Sequence, residues 1–437
     1  DCYIFTVDTE QMFGYNDGTI IFFGDFMERA ILHCDLNNFY ASVETVVSPE
    51  LRGKAIAICG RTEDRHGIVL AKSEAAKKCG VKTGDVIWLA KGKCPELLVF
   101  PPRFSEYIKY SRAVKSIYGR YTDMIEPFGI DECWLDVSGS TRLFGSPKTI
   151  ADDVRETVKK ELGLTISVGV SFNKVFAKLG SDMKKPDAVT VIRRENFRDM
   201  IWQLPAEDML WVGRSTSKVL KKYGIITIGD IAKSDPAFLK TTFGKNGVVL
   251  WRCANGLENS PVCNMGYRPP VKSVGRGATC VDDLRDNDEV WRVLLSLSHA
   301  VSKHLREDGL LAGGVQIGIK NTALFTSQSQ SKLIYPTQNS REIALKAFSL
   351  FKQTYKWQTP VRAVTVRAIE LLNPDKPQQL SLGFDMTRHE KLERLDKAML
   401  RINEKYGKGT VVEATVLNGT KMPTTVPSAD KDISFLP

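Results

Sequence analysis

Two neighbouring carboxylates, Asp131 and Glu132, interrupt an apolar stretch that runs from residue 124 to residue 137. Successive side chains of a straight strand point to opposite faces, so both acids reach one site only if Phe128-Gly129 makes a turn just before them. Adjacent acids in such surroundings are costly without a counter-charge, and a divalent cation supplies one. A third acid, Asp35, ends the first apolar run of strand length, Ala30 to Cys34, just ahead of a helix-like stretch beginning near Asn37. An acid between a strand and a helix start is well placed to hold a hard cation. Asp35, Asp131 and Glu132 together suit two Mg²⁺ ions, the arrangement that clamps the attacking and leaving oxygens of phosphoryl transfer. Singly, each has a plainer reading: a lone Asp caps a helix, and paired acids sit solvated on a surface hairpin.

A third motif spans Ser167 to Asp187, with Lys174, Lys178, Lys184 and Lys185 on or after one helix. A lysine beside a metal pair can hold triphosphate charge; the alternative is a solvated basic face. Around these motifs the periodicity predicts strands at 54–59 and 67–71, a helix from Ser73 to Lys78, and a helix over 104–121 carrying Tyr107, Ile108, Ser111, Val114, Ile117 and Tyr118. Strands at 124–137 and 165–171 flank a helix at 149–162. This β-α-β-β-α-β order implies a mixed or antiparallel sheet with helices on one face.

Residues 205–257 read as a compact helical region, and Pro261, Pro269 and Pro270 mark a linker. A second β-α-β-β-α-β order follows, with strands at 271–281, 313–321, 330–335 and 361–371 and helices at 287–307 and 340–356. A last helix covers 387–406. Thr387 with Glu390 forms its capping box, and Leu392, Leu395, Met399, Ile402 and Tyr406 form its apolar stripe.

The chain's 437 residues exceed what one core of ~250–300 residues holds, so several domains are expected. Residues 1–192 hold 25 Lys and Arg against 26 Asp and Glu, whereas 193–259 hold 11 against 7 and 260–372 hold 15 against 9. The net charge of +10 is therefore carried by 193–372, which suggests a neutral active region followed by polyanion-binding modules. No apolar run reaches the ~18–20 residues of a membrane span, and the start lacks a signal peptide's pattern, so a cytoplasmic protein is expected. The nine cysteines form no CxxC pair and read as reduced, small buried residues rather than a disulfide or zinc framework. Residues 1–26 read as an extension. Met27 is the expected natural start, since Gly24-Asp25 can be encoded by a ribosome-binding-like sequence.

In residues, order and spacing the three motifs resemble the Y-family DNA polymerases, in particular their DinB/UmuC-like bacterial branch, from about Ala30 through Tyr406. The resemblance implies an α+β, multi-domain polymerase right hand plus an extra β-α-β-β-α-β little finger. The palm would be 27–38 and 103–192, with a ferredoxin-like mixed sheet. Small fingers would cover 39–102, a helix–hairpin–helix thumb 193–259, a linker 260–270, the little finger 271–372 and a C-terminal tail 373–437. The implied activity is translesion synthesis: dNTPs added to a primer 3′-OH on damaged templates, without proofreading, by two Mg²⁺ ions for which Mn²⁺ can substitute.

Asp35, Asp131 and Glu132 match the family's catalytic metal-binding carboxylates, and Leu36 sits where a backbone carbonyl also binds metal. Tyr40 matches the steric gate that excludes a ribose 2′-OH, with Phe39 beside it under the sugar or in the core. Lys185 matches the triphosphate-binding lysine, and Asp182 reads as structural. The fingers depart from the common Tyr and Arg: Glu74 and Lys77 stand there, Lys77 as a point charge and Glu74 as its partner or Lys78's. Asn37 stands where many members have Asp.

The thumb match centres on Leu210 to Leu220, with Gly213, Ser215 and Lys218 on DNA phosphate, although only one glycine is present where two are common. In the little finger, Lys272, Ser273, Arg276, Lys303, Lys320 and Arg367 are the expected DNA contacts. Gln379-Leu380-Ser381-Leu382-Gly383-Phe384 resembles the peptide by which bacterial polymerases bind the sliding clamp; Gln379 would orient it while Leu380, Leu382 and Phe384 fill an apolar pocket. The alternative is that these residues pack on the chain itself. Primer-template DNA, dNTPs and the clamp are the implied partners of a monomer. Two rivals remain: a palm-fold nucleotide cyclase, which carries a Gly-Gly-Asp/Glu-Glu-Phe hairpin where this chain has Gly129 to Cys133, and a non-catalytic clamp- and DNA-binding accessory protein.

Overall fold

The structure, a computed structural model, describes residues 15–16, 19–20, 29–60, 67–377, 379, 384–407, 409–417 and 419–423. By contacts the chain divides into two compact units, Asp1–Arg52 with Arg103–Tyr267 and Asp432–Pro437, and Gly53–Pro102 with Arg268–Lys431. No described helix is long and apolar enough to cross a membrane.

A two-residue antiparallel pair, β1 (Tyr15–Asn16) and β2 (Thr19–Ile20), precedes β3 (Ile31–Leu36) and α1 (Phe39–Val47). The chain then enters the second unit with β4 (Ile56–Cys59), β5 (Val69–Lys72), α2 (Glu74–Lys78), α3 (Ile87–Lys93) and β6 (Leu98–Phe100). It returns to the first with α4 (Phe104–Tyr118), β7 (Ile125–Pro127), β8 (Glu132–Asp136), α5 (Thr141–Phe144), α6 (Pro147–Leu162), β9 (Ile166–Ser171), α7 (Lys174–Met183) and β10 (Val189–Val191).

The first unit's sheet runs β10-β9-β3-β8-β7, parallel at β10–β9 and antiparallel elsewhere. Strand β3 lies at its centre with all six residues buried, so its alternate side chains must serve two different interiors. Leu32, Cys34 and Leu36 face α4, where the Cys34 thiol meets the Tyr118 hydroxyl. Ile31, His33 and Asp35 face α7. Helices therefore cover both faces rather than one, because α7 follows β9 and folds back onto the side that α4 leaves open. The elements α8 (Phe197–Ile201), α9 (Arg214–Lys222), α10 (Ile228–Lys233), α11 (Pro236–Phe243) and α12 (Lys245–Ala254) form a helical cluster. Its core joins Leu220, Ile231, Leu239 and Leu250 to Phe176 and Phe197, and each fully buried side chain of this size contributes roughly 1.5–3 kcal/mol.

In the second unit, β4–β6 form a small sheet of order β5-β4-β6. A second sheet combines β11 (Val274–Leu284), β12 (Leu311–Asn321), β13 (Thr326–Thr337) and β14 (Val361–Leu372) in the antiparallel order β11-β14-β12-β13. Its helices α13 (Asn287–Glu307) and α14 (Ser340–Thr354) pack on one face. Alternation decides which: Val315, Ile317, Ile319, Val364, Val366 and Ala368 are buried toward the helices, while Gln316, Lys320, Thr365 and Arg367 fall on the open face.

Helix α15 (Met386–Tyr406) departs from expectation twice, and α16 (Ala414–Leu417) follows it. Its cap is Asp385, which accepts from the Arg388 N–H at 2.9 Å, not a Thr387–Glu390 box. Its apolar stripe is not its docking face. Leu395 and Tyr406 stay 52% and 65% exposed, and the helix docks by polar groups instead. Asp396 accepts from the Ser340 N–H and hydroxyl at 2.7 Å each, and Glu393 pairs with Arg306 at 2.9 Å.

Candidate active site

The geometry begins with strand register. Asp35 on β3 is paired across the sheet with Glu132 on β8, so both project on the α7 face. Asp131 lies just outside β8, in a bend over 128–131. Phe128 and Gly129 N–H both donate to the Glu132 carbonyl, at 3.0 and 3.3 Å, and Leu36 N–H donates to the Asp131 carbonyl at 3.0 Å. The bend frees Asp131 from strand alternation, which is what two adjacent acids at one site require. The ligand oxygens of the trio do not all fall within 4.8 Å of one another. They do not form a closed cage for one ion.

Helix α7 supplies counter-charge. Lys178 Nζ lies 2.8 Å from Glu132 and 3.3 Å from Asp35, and Lys185 Nζ lies 2.8 Å from Asp35 and from Asp182. Burial alone would lower Lys178, but Asp35, Glu132 and Asp182 outweigh it and hold the ammonium at about 12. Burial would raise Glu132, yet His33 and Lys178 pull it down to about 2. Asp131 makes no ion pair with a described Lys or Arg; burial, then Glu132 and Asp35, push its carboxyl up to about 6. It is the uncompensated acid of the site, and a divalent cation is the charge it lacks.

His33 was not among the expected site residues. It is fully buried, with Nδ1 2.8 Å from Ser181 Oγ and Nε2 3.3 Å from Glu132. Burial lowers its pKa, against the opposing pull of Glu132. Ser181 Oγ donates to the Lys178 carbonyl at 2.8 Å, so it accepts from His33 Nδ1–H. Lys178 was noted only as one lysine of a basic helix. Both were hidden because their position depends on how closely α7 meets the sheet.

That approach is made by Gly169, the β9 partner of His33. A Cβ there would overlap the Ala177 carbonyl and lie 2.5 Å from Ser181 N. Gly169→Ala is therefore expected to cost at least ~1–3 kcal/mol by overpacking and to lift Lys178 off the carboxylates. Thermal denaturation and primer extension should both fall; an unchanged melting curve would contradict this packing.

Asn37 does not face the acids. Its Nδ2 donates to Ser167 Oγ and its Oδ1 accepts from the Asp187 N–H, both at 2.9 Å, tying the loop after Lys185 to the end of β3. Asn38 then turns through a left-handed conformation, φ 51°, which Asn tolerates, and starts α1 with Phe39 and Tyr40. Phe39 is in the core, 3% exposed. Tyr40 is half-buried and stacks on Tyr107 at 4.3 Å. Tyr107 is fixed by donating to Glu44 at 2.7 Å, and Glu44 is held in turn by Arg103. Burial, then the Asp131 charge, push the Tyr40 hydroxyl up.

The remaining candidates divide. Lys77 lies in the other unit, on α2, in a 3.8 Å pair with Glu74. Gly213, Ser215 and Lys218 are exposed at and after the start of α9, where Gly213 leaves the helix without a side-chain cap. Trp211 holds φ 76°, a conformation suited to glycine, at the place where a second glycine was missed. Lys272 and Ser273 precede β11. Lys320 and Arg367 share the open sheet face, whereas Arg276 turns to the helix side, where its guanidinium meets His304. Lys303 is on α13, 3.8 Å from Glu307. The open face also carries Gln316, Thr326, Gln328, Gln330 and Thr365, which register places around Lys320 and Arg367; the alternation of β13 was the signal for them. Of the tail peptide, Leu380 and Leu382 lie outside the described residues. Phe384 stacks on Tyr335 at 4.9 Å.

Known proteins resemble this chain along most of its length. Residues 34–182 match the impB/mucB/samB family, and residues 271–382 match the impB/mucB/samB family C-terminal domain. A protein named DNA polymerase IV from Acetivibrio thermocellus is 50% identical over 381 residues, 87% of this chain and 96% of that one. A DNA polymerase IV from Bacillus velezensis is 37% identical over 405 residues, covering 92% and 97%. In solved structures, a Y-family DNA polymerase chimera superposes with a TM-score of 0.69 over 79% of this chain and 99% of that one, at 22% identity, and so shares the fold. The chain belongs to the bacterial, DinB-like branch of the Y-family DNA polymerases.

Proposed function

We propose that this chain is a template-directed DNA polymerase of the translesion type, which adds dNTPs to a primer 3′-OH without proofreading. The observation that carries the reading is the row Asp35, Glu132 and Asp131, with one acid left uncompensated beside two that lysines neutralise. Asp35, Asp131, Glu132 and the Leu36 carbonyl would hold two divalent cations, Mg²⁺ or Mn²⁺. Cations held there would activate the primer hydroxyl and neutralise the leaving pyrophosphate. Lys178 and Lys185, once relieved of the carboxylates, would hold triphosphate oxygens. Tyr40, braced by Tyr107, closes the space a ribose 2′-OH would need. Lys77 adds a point charge from the fingers.

In this reading the palm is 27–38 and 103–192, the fingers 39–102, the thumb 193–259 and the little finger 271–372, joined by a linker at 260–270. The thumb offers the backbone N–H groups at the start of α9, with Ser215 and Lys218, to phosphate. The little finger grips DNA by its open face through Lys320 and Arg367 and by Lys272 and Ser273 at the sheet's edge; Arg276 and Lys303 are placed to support rather than to lead. Contacts of this kind hold a backbone without reading bases, which suits an enzyme that accepts any sequence. The enzyme works as a cytoplasmic monomer. Primer extension on undamaged and abasic templates tests the reading, and incubation with GTP alone tests the cyclase alternative.

The peptide Gln379 to Phe384 tethers the enzyme to the sliding clamp. Phe384 must leave Tyr335 to do so, which makes the contact weak and regulable. Replacing Leu382 and Phe384 with alanine should reduce clamp capture, measured by surface plasmon resonance, at least ~10-fold and leave clamp-free extension unchanged. Undiminished capture would assign Phe384 to internal packing alone.

A further inference from the structure

We propose that Cys79, Cys94 and Glu96 form a binding site for a thiophilic divalent cation, Zn²⁺ by its donor set, away from the carboxylate row. The two sulfurs and a Glu96 oxygen all lie within 4.8 Å of one another, the one such trio of His, Cys, Asp or Glu donors among the described residues. The sequence separates the cysteines by fifteen positions with no metal-ligand spacing, which is why they read as isolated. The fold joins them. Cys79 ends α2 and Cys94 ends α3, each at the carbonyl end of its helix, where the last backbone groups favour positive charge.

The chemistry points the same way. Zn²⁺ takes thiolate sulfur at ~2.3 Å and carboxylate oxygen at ~2.0–2.2 Å in a tetrahedron, so ligands around one ion sit ~3.5–4 Å apart. The three donors need only a small closure to reach that spacing. Cys94 is buried, 1% exposed, while Cys79 and Glu96 are exposed, giving the ion a fixed ligand inside and an entry path outside. Glu96 makes no ion pair with a described Lys or Arg. On binding a cation, each ligating thiol releases its proton to solvent. Three protein donors leave a fourth position for water. The bound ion would pin the end of α2 to the turn after α3 within the small β5-β4-β6 subdomain.

The test is spectroscopic and independent of polymerase activity. The reduced full chain, stripped with chelator, is titrated with Co²⁺ as a probe and then with Zn²⁺. A thiolate-to-cobalt charge-transfer band saturating at one ion per chain, displaced by Zn²⁺, is expected; ions on the carboxylate row give no such band. Cys79→Ser, at an exposed position, should abolish the band and raise the Zn²⁺ dissociation constant by a factor on the order of 100 or more. Glu96→Gln should weaken binding while keeping the band. Absence of the band, a band unchanged in Cys79→Ser, or a Cys79–Cys94 disulfide with no metal uptake after reduction would overturn the proposal.

Discussion

Replacing Asp131 or Glu132 with alanine is expected to lower primer extension by a factor of about 10³ or more while leaving DNA binding nearly intact. The two substitutions act differently. Glu132 lies 3.3 Å from His33 and 2.8 Å from Lys178, so its loss removes the nearest of Lys178's three carboxylate partners, leaving Asp35 at 3.3 Å and Asp182 at 3.4 Å, as well as a proposed ligand. Asp131 has no such partner, and its loss relieves a buried acid. Glu132→Ala should therefore destabilise the metal-free protein, whereas Asp131→Ala should stabilise it slightly. Single-turnover extension, gel-shift binding and thermal melting separate these effects.

The same geometry sets a pH dependence. The Asp131 carboxyl stands at about 6 against an ordinary 3.8. A raised acid contributes stability that is complete below the unfolded value and is lost as pH rises through the folded one. Between these limits the metal-free protein gives up stability to an uncompensated charge. Added Mg²⁺ should raise the melting temperature more above pH ~7 than below pH ~5, and Asp131→Ala should erase the difference.

Tyr40→Ala is the second large effect: ribonucleotide incorporation relative to deoxynucleotide should rise by about 10² or more. A steric gate needs a rigid ring. A gate that could swing aside would admit the extra oxygen, but Tyr40 stacks on Tyr107 at 4.3 Å and 14°, with Phe104 edge-on at 6.0 Å. Tyr107→Ala, which removes the brace and leaves the gate, should relax selectivity part of the way. Unchanged selectivity in Tyr40→Ala would reject this tyrosine as the gate.

How far the sequence could be read depended on what each feature rests on. The second sheet was readable almost strand by strand, because alternation marks one covered face and flanking glycines and prolines mark the turns. The grouping of the carboxylates was readable because two adjacent acids in an apolar run demand a bend, and the bend over 128–131 is there; lysines meet Glu132 and Asp35 but no described ion pair meets Asp131. What escaped depends on contacts between distant segments. Lys178 and His33 join the row only because Gly169 lets α7 settle onto β9. Arg276 turns to His304 rather than to the open face because β11 alternates against the helices. Helix α15 docks through Glu393 and Asp396, since the partly buried Arg306 and the buried Ser340 await them; an apolar stripe read from one helix cannot register what the neighbouring surface offers. Cys79 and Cys94 meet at the ends of two helices that no spacing rule connects.

The charge distribution now has a structural counterpart. The excess in 193–372 falls on the helical cluster and on the second sheet with its helices, the parts proposed to hold a DNA backbone. The cyclase and accessory-protein readings are not favoured by the family, and neither requires those parts together with the carboxylate row.

The most direct measurement is extension of a labelled primer by the purified chain with Mg²⁺ and dNTPs, on undamaged and abasic templates side by side. Stepwise, template-directed products on both, abolished by chelator and by Asp131→Ala and not trimmed back when dNTPs are withheld, are predicted. No extension from either template by a folded, DNA-binding protein supplied with metal would contradict the account.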